Sequence, residues 1–100
     1  MTQPHKDVHL TDDNGHVDQN DVPISKKLGE EVTWYAYDHQ FGATIEFSSA
    51  DGSPFYDSTF HVPIGGSVST GPAKNVDPKR YKYTVNGHGG QNDPGVIIQN

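Results

Sequence analysis

Cysteine is absent from the 100 residues. That removes disulfides, thiolate metal sites, thiol nucleophiles and redox dithiols together. Cationic side chains are few: seven Lys and Arg stand against thirteen Asp and Glu, for a formal charge of −6 with six neutral histidines. A nucleic-acid groove or an anionic membrane surface needs clustered Lys and Arg, so this balance argues against both as partners. Long apolar runs are missing, and none approaches the roughly 20 residues of a membrane span. The stretch Met1 to Asp7 has no apolar core of the signal-peptide kind. The expected compartment is cytoplasmic if Met1 is the native start, and periplasmic or secreted after leader removal otherwise. Hydrophobic residues make up only 31%, whereas Gly and Pro number 11 and 7, a composition that favours many turns between short strands over long helices. A chain this short is expected to form a single domain, because second cores are rare below about 150 residues.

The usual catalytic patterns are missing too. There is no Gly-x-x-x-x-Gly-Lys-Ser/Thr phosphate loop, no helix-opening Gly-x-Gly-x-x-Gly and no His-Glu-x-x-His. Gly65-Gly66-Ser67-Val68-Ser69 is not a nucleophile elbow. The carboxylates are spread over turns, and nothing pairs two of them across a cleft as glycosidic acid/base chemistry requires. The expectation is a non-enzymatic chain. His5, His9 and His16 lie in a polar N-terminal segment. Imidazoles there are suitable for loose Cu²⁺ or Ni²⁺ binding, but a built site needs fixed ligands and their supporting contacts, so they read as solvated surface histidines.

What the sequence does contain is period-two alternation. In Val32-Thr33-Trp34-Tyr35-Ala36-Tyr37 the residues Val32, Trp34 and Ala36 share one face and Thr33, Tyr35 and Tyr37 the other, as a half-buried strand requires. Ala43 to Phe47 and Tyr81 to Val85 alternate in the same way. Shorter candidates are Val22 to Ser25, Phe60 to Val62, Ser67 to Thr70 and Val96 to Ile98. The segment 1–20 is polar and contributes at most one strand, around Val8 and Leu10. Stretches such as Lys26 to Glu30, Ser48 to Pro54 and Asn86 to Gly95 carry the turn formers that separate strands. The pattern predicts about seven or eight short strands, an antiparallel β-sandwich or barrel with no helix longer than about two turns. The expected core is Val8, Leu10, Val22, Ile24, Val32, Trp34, Ile45, Phe47, Phe60, Val62, Val68, Tyr81, Tyr83, Val85, Val96 and Ile98. Tyr35 and Tyr37, on the opposite phase, are a patch suited to a protein partner, since Tyr is enriched at interfaces. A plain covered face is the alternative.

The order of these elements resembles the cupredoxin family of small copper-binding Greek-key β-sandwiches. Two stretches carry the resemblance: Val22-Pro23-Ile24-Ser25-Lys26-Lys27-Leu28-Gly29-Glu30-Glu31-Val32-Thr33-Trp34, and Tyr81-Lys82-Tyr83-Thr84-Val85-Asn86-Gly87-His88 with Gly95-Val96-Ile97-Ile98. It covers most of Val22 to Ile98 and implies a Greek-key sandwich. Carried over position by position, the family's first copper-binding His falls on or near Ala43, its Cys on Val85, its second His on His88 and its Met on or near Asp93. Only His88 keeps a ligand. A blue-copper centre depends on a soft thiolate, so the resemblance implies a module without electron transfer. That module has no resident cofactor and is a binding or structural domain, a monomer or weak oligomer. The alternative is a redox-silent Cu²⁺ or Zn²⁺ site built from His39, His88 and Asp93, whose imidazole and carboxylate donors suit either ion.

Overall fold

The computed structural model describes residues 5–11, 16–36, 42–48, 52–87 and 94–99. Among them the chain forms eight strands and no helix: β1 (His5–His9), β2 (Asp21–Ser25), β3 (Glu31–Tyr35), β4 (Ala43–Phe47), β5 (Thr59–Val62), β6 (Ser67–Ser69), β7 (Arg80–Val85) and β8 (Gly95–Gln99). They make a three-stranded sheet in the order β1-β3-β6 and a five-stranded sheet in the order β2-β8-β7-β4-β5.

The alternating stretches become strands because each offers one apolar face to the space between the sheets. Trp34 of β3 is fully enclosed there. Its ring lies 5.3 Å from Tyr83, 5.6 Å from Phe60 and 6.2 Å from Phe47, all on the larger sheet. The molecule measures 36 × 34 × 20 Å, and the short axis is what two sheets stacked about 10 Å apart require once side chains are added. Every expected core residue is buried except Val68, which is half-buried against the cluster, because β6 is a three-residue edge strand. Phe55 is the residue that alternation does not find. It lies outside any strand, yet it is almost fully enclosed, 5.7 Å from the Phe47 ring and 6.1 Å from the Phe60 ring.

The sheets are mixed, which corrects the expectation of a purely antiparallel assembly. β1 runs parallel to β3 and β2 runs parallel to β8, while the β3–β6, β4–β5, β4–β7 and β7–β8 pairs are antiparallel. Alternation reports which face of a strand is buried and is blind to the direction of its neighbour. The parallel pairs arise because each of the first two strands is joined to its partner by a long crossover in place of a hairpin.

Both parallel pairs end in the same local device. Lys26 N–H donates to Gln99 O at 2.9 Å and Gly95 N–H donates to Asn20 O at 2.8 Å. The even-numbered residues of β2 therefore face β8, and Asp21, Pro23 and Ser25 turn their backbone outward. Pro23 has no N–H to present. Ser25 N–H donates to the Glu30 carboxylate at 2.6 Å, and Ser25 C=O accepts from Glu30 N–H at 3.2 Å. On β1, Leu10 N–H donates to Tyr35 O at 2.9 Å, so His9 faces outward. Its N–H donates to the Asp18 carboxylate at 2.8 Å, and its C=O accepts from Asp18 N–H at 2.9 Å. In each case one acidic residue from the following loop takes both outward backbone groups of the last strand residue.

Candidate functional site

The resemblance aligns copper ligands on or near Ala43 and on Val85, at the end of the molecule where β4 begins and β7 finishes. Ile45 pairs with Val85 across β4 and β7, so Ala43, two residues back on β4, is the diagonal neighbour of Val85 on the same inward face. Both are buried, Val85 completely. The corner is tied by Asn86. Its backbone N–H donates to Thr44 O at 2.8 Å, and its side-chain oxygen accepts from Thr44 N–H at 2.9 Å. Asn86 adopts φ 53° and Gly87 φ 81°, left-handed conformations that Asn and Gly reach more readily than other residues. Neither Ala43 nor Val85 carries an atom able to bind a metal. His88, His39 and Asp93, the alternative ligand set, lie outside the described residues. Among the described residues no group of three or more His, Asp or Glu side chains converges to hold a metal ion.

The outer face of the three-stranded sheet is the second place, because it carries Tyr35. Residues His5, Asp7 and His9 of β1 alternate outward and are exposed. The cross-strand register sets His9 opposite Tyr35 and Asp7 opposite Thr33. The His9 and Tyr35 rings stack at 4.9 Å with their planes 14° apart. The Tyr35 hydroxyl donates to the Asp7 carboxylate at 3.3 Å, and that carboxylate also receives His5 Nε2 at 3.0 Å. His9 Nδ1 meets Asp18 at 3.2 Å. Thr33 is buried despite its outward phase, because β3 is the central strand and its hydroxyl bonds the Ser69 hydroxyl of β6 at 2.8 Å. Desolvation, then the Asp7 charge and the hydrogen bond to it, hold the Tyr35 phenol above its ordinary pKa.

The result is a connected polar surface of two imidazoles, two carboxylates and one phenol. Tyr35 is half-buried in it, whereas Tyr37, expected beside it, lies outside the described residues. The sequence marks His9 as a solvated surface histidine and carries no sign of its stack on Tyr35. The signal for that stack is the parallel register of β1 on β3, which no local pattern carries. Comparison of the chain with protein-family models and with curated proteins finds no match.

Proposed function

We propose that the chain is a non-enzymatic binding or structural module. It is a cupredoxin-like Greek-key β-sandwich, one domain over residues 1–100, without a type 1 copper centre. The observation that carries this reading is the pair Ala43 and Val85. They are diagonal neighbours at one end of the larger sheet, both buried and apolar, Val85 completely, and the cupredoxin resemblance would align a copper-binding imidazole on or near the first and a thiolate on the second. The Greek-key part is supported by the long returns that lay β1 beside β3 and β2 beside β8. The partner is another protein, received on the Tyr35 face, where a stacked aromatic pair is surrounded by paired charges. Nucleic acid and membrane are not partners in this reading, and the chain is a monomer or weak oligomer.

Titration with Cu²⁺, followed by calorimetry and electron paramagnetic resonance, tests the metal-free reading. The expected outcome is weak binding of no fixed stoichiometry. Submicromolar 1:1 binding that disappears in His88→Ala overturns it and leaves the redox-silent His39, His88 and Asp93 site, whose affinity should weaken as imidazoles protonate near their reference pKa of about 6.5. A second experiment tests the positional argument. The Ala43→His/Val85→Cys variant should bind Cu²⁺ with an intense thiolate absorption in the visible, because only a thiolate held beside imidazoles gives that electronic structure. A colourless product overturns the assignment of positions 43 and 85.

A further inference from the structure

We infer that the cleft between the β2–β3 turn and the β6–β7 connection is a binding site for a small phosphate ester. The cleft is about 410 Å³ and is lined by Lys26, Lys27, Ala73, Lys74 and Asn75, a size within the range of about 300–1,000 Å³ in which small ligands are held. Three of the seven Lys and Arg residues of an acidic chain meet here. Elsewhere Arg80 is matched to Asp21 at 2.7 Å and Lys6 to Glu30 at 3.8 Å, and Lys79 lies over the Tyr81 ring at 5.1 Å. Among the described residues no carboxylate pairs with Lys26, Lys27 or Lys74, so the positive charge of the cleft is left for an anion from outside.

One of the three ammonium groups is fixed in place. Lys26 Nζ donates to Val76 O at 2.6 Å and to the Asn75 side-chain oxygen at 3.2 Å. Those contacts hold its charge at the cleft wall and leave its third N–H unassigned. The opposite wall is held by Lys74 N–H donating to Pro54 O at 2.7 Å and Val76 N–H donating to Lys74 O at 2.9 Å. Lysine binds phosphate as a compact point charge with rotatable donors, and a dianion meets several such charges at once. Ala73 and the lysine stems add an apolar lining. Leu28, in the same turn as Lys26 and Lys27, is 68% exposed. An anion with a small organic group uses both kinds of surface, whereas inorganic phosphate uses one. The site is remote from positions 43 and 85 in the fold, so its success or failure is independent of the copper titration.

The test is a nuclear magnetic resonance titration of the ¹⁵N-labelled chain with phenyl phosphate, inorganic phosphate and a short phosphoserine peptide. Phenyl phosphate should shift the amides of residues 26–29 and 73–76 saturably, bind more tightly than inorganic phosphate, and weaken as NaCl is raised. Lys27→Ala/Lys74→Ala should lose at least about tenfold in affinity, the equivalent of one charge-assisted hydrogen bond. Lys82→Ala, on β7, should retain it. Absence of saturable shifts at about 10 mM ligand, or an equal loss in Lys82→Ala, overturns the site. Equal affinity for phenyl phosphate and inorganic phosphate overturns the organic-group assignment, and tighter binding of the phosphopeptide overturns the small-molecule assignment.

Discussion

Tyr83 puts a phenol hydroxyl in the core, 1% exposed, and neither that oxygen nor the Trp34 indole nitrogen beside it has a hydrogen-bond partner within bonding geometry. Burial pushes the phenol up to about 12, and the nearby indole N–H offsets this only in part. A phenol whose folded pKa exceeds its unfolded value of about 10 contributes stability that is complete below pH 10 and lost as pH rises toward 12, because the unfolded chain releases its proton first. The loss across that window is roughly 2–3 kcal/mol. Tyr83→Phe should remove this alkaline sensitivity. At neutral pH it should be neutral or stabilising by about 1 kcal/mol, since it deletes a buried group that bonds nothing. Chemical denaturation at pH 7 and pH 11 measures both. The apolar phase of Tyr83 is readable from its strand. Its unbonded hydroxyl is not, because the surroundings of that oxygen come from a strand of the other sheet.

At the scale of elements, Phe55 shows where pattern reading stops. It lies in a turn-rich connection with no alternation around it, and it is held there by local bonds: its N–H donates to the Ser53 hydroxyl at 3.1 Å, and that hydroxyl donates to Asp57 O at 2.7 Å. These bonds turn the ring inward against Phe47 and Phe60. Phe55→Ala should therefore behave as a core deletion, lowering stability by about 3–5 kcal/mol in thermal or denaturant unfolding, although the neighbouring Tyr56, 79% exposed, should tolerate Ala with little change. The strands themselves were legible because burial of one face imposes period two on residues such as Val32, Trp34, Ile45, Phe47, Tyr81 and Tyr83. Their directions and partners were not, since β1 meets β3 and β2 meets β8 across long stretches of intervening chain. The candidate site was less legible for the same reason: the resemblance that aligns Val85 with a thiolate rests on one segment, whereas the His9–Tyr35 stack needs the register of two.

For the whole molecule, the long returns have a kinetic consequence. Folding has to close large loops before the parallel pairs gain their ladders, so single-jump refolding should fall in the range of about milliseconds to seconds expected of all-β chains. Refolding faster than about 100 µs would contradict this order of assembly. The two acidic residues that occupy the outward backbone of Ser25 and His9 have a consequence of another kind. β1 and β2 are sheet edges, and a bare edge is a template on which a second chain adds its own strand. Glu30 and Asp18 occupy the last outward position of each edge, and Pro23 offers no N–H on β2, so a newcomer finds a shortened ladder there. Replacing both, as in Asp18→Ala/Glu30→Ala, should give concentration-dependent dimers or larger species in sedimentation velocity, and a strictly monomeric double variant would refute this. The negative charge of the chain is thus placed as well as abundant: two of its carboxylates act as stoppers against open-ended growth of the sheets.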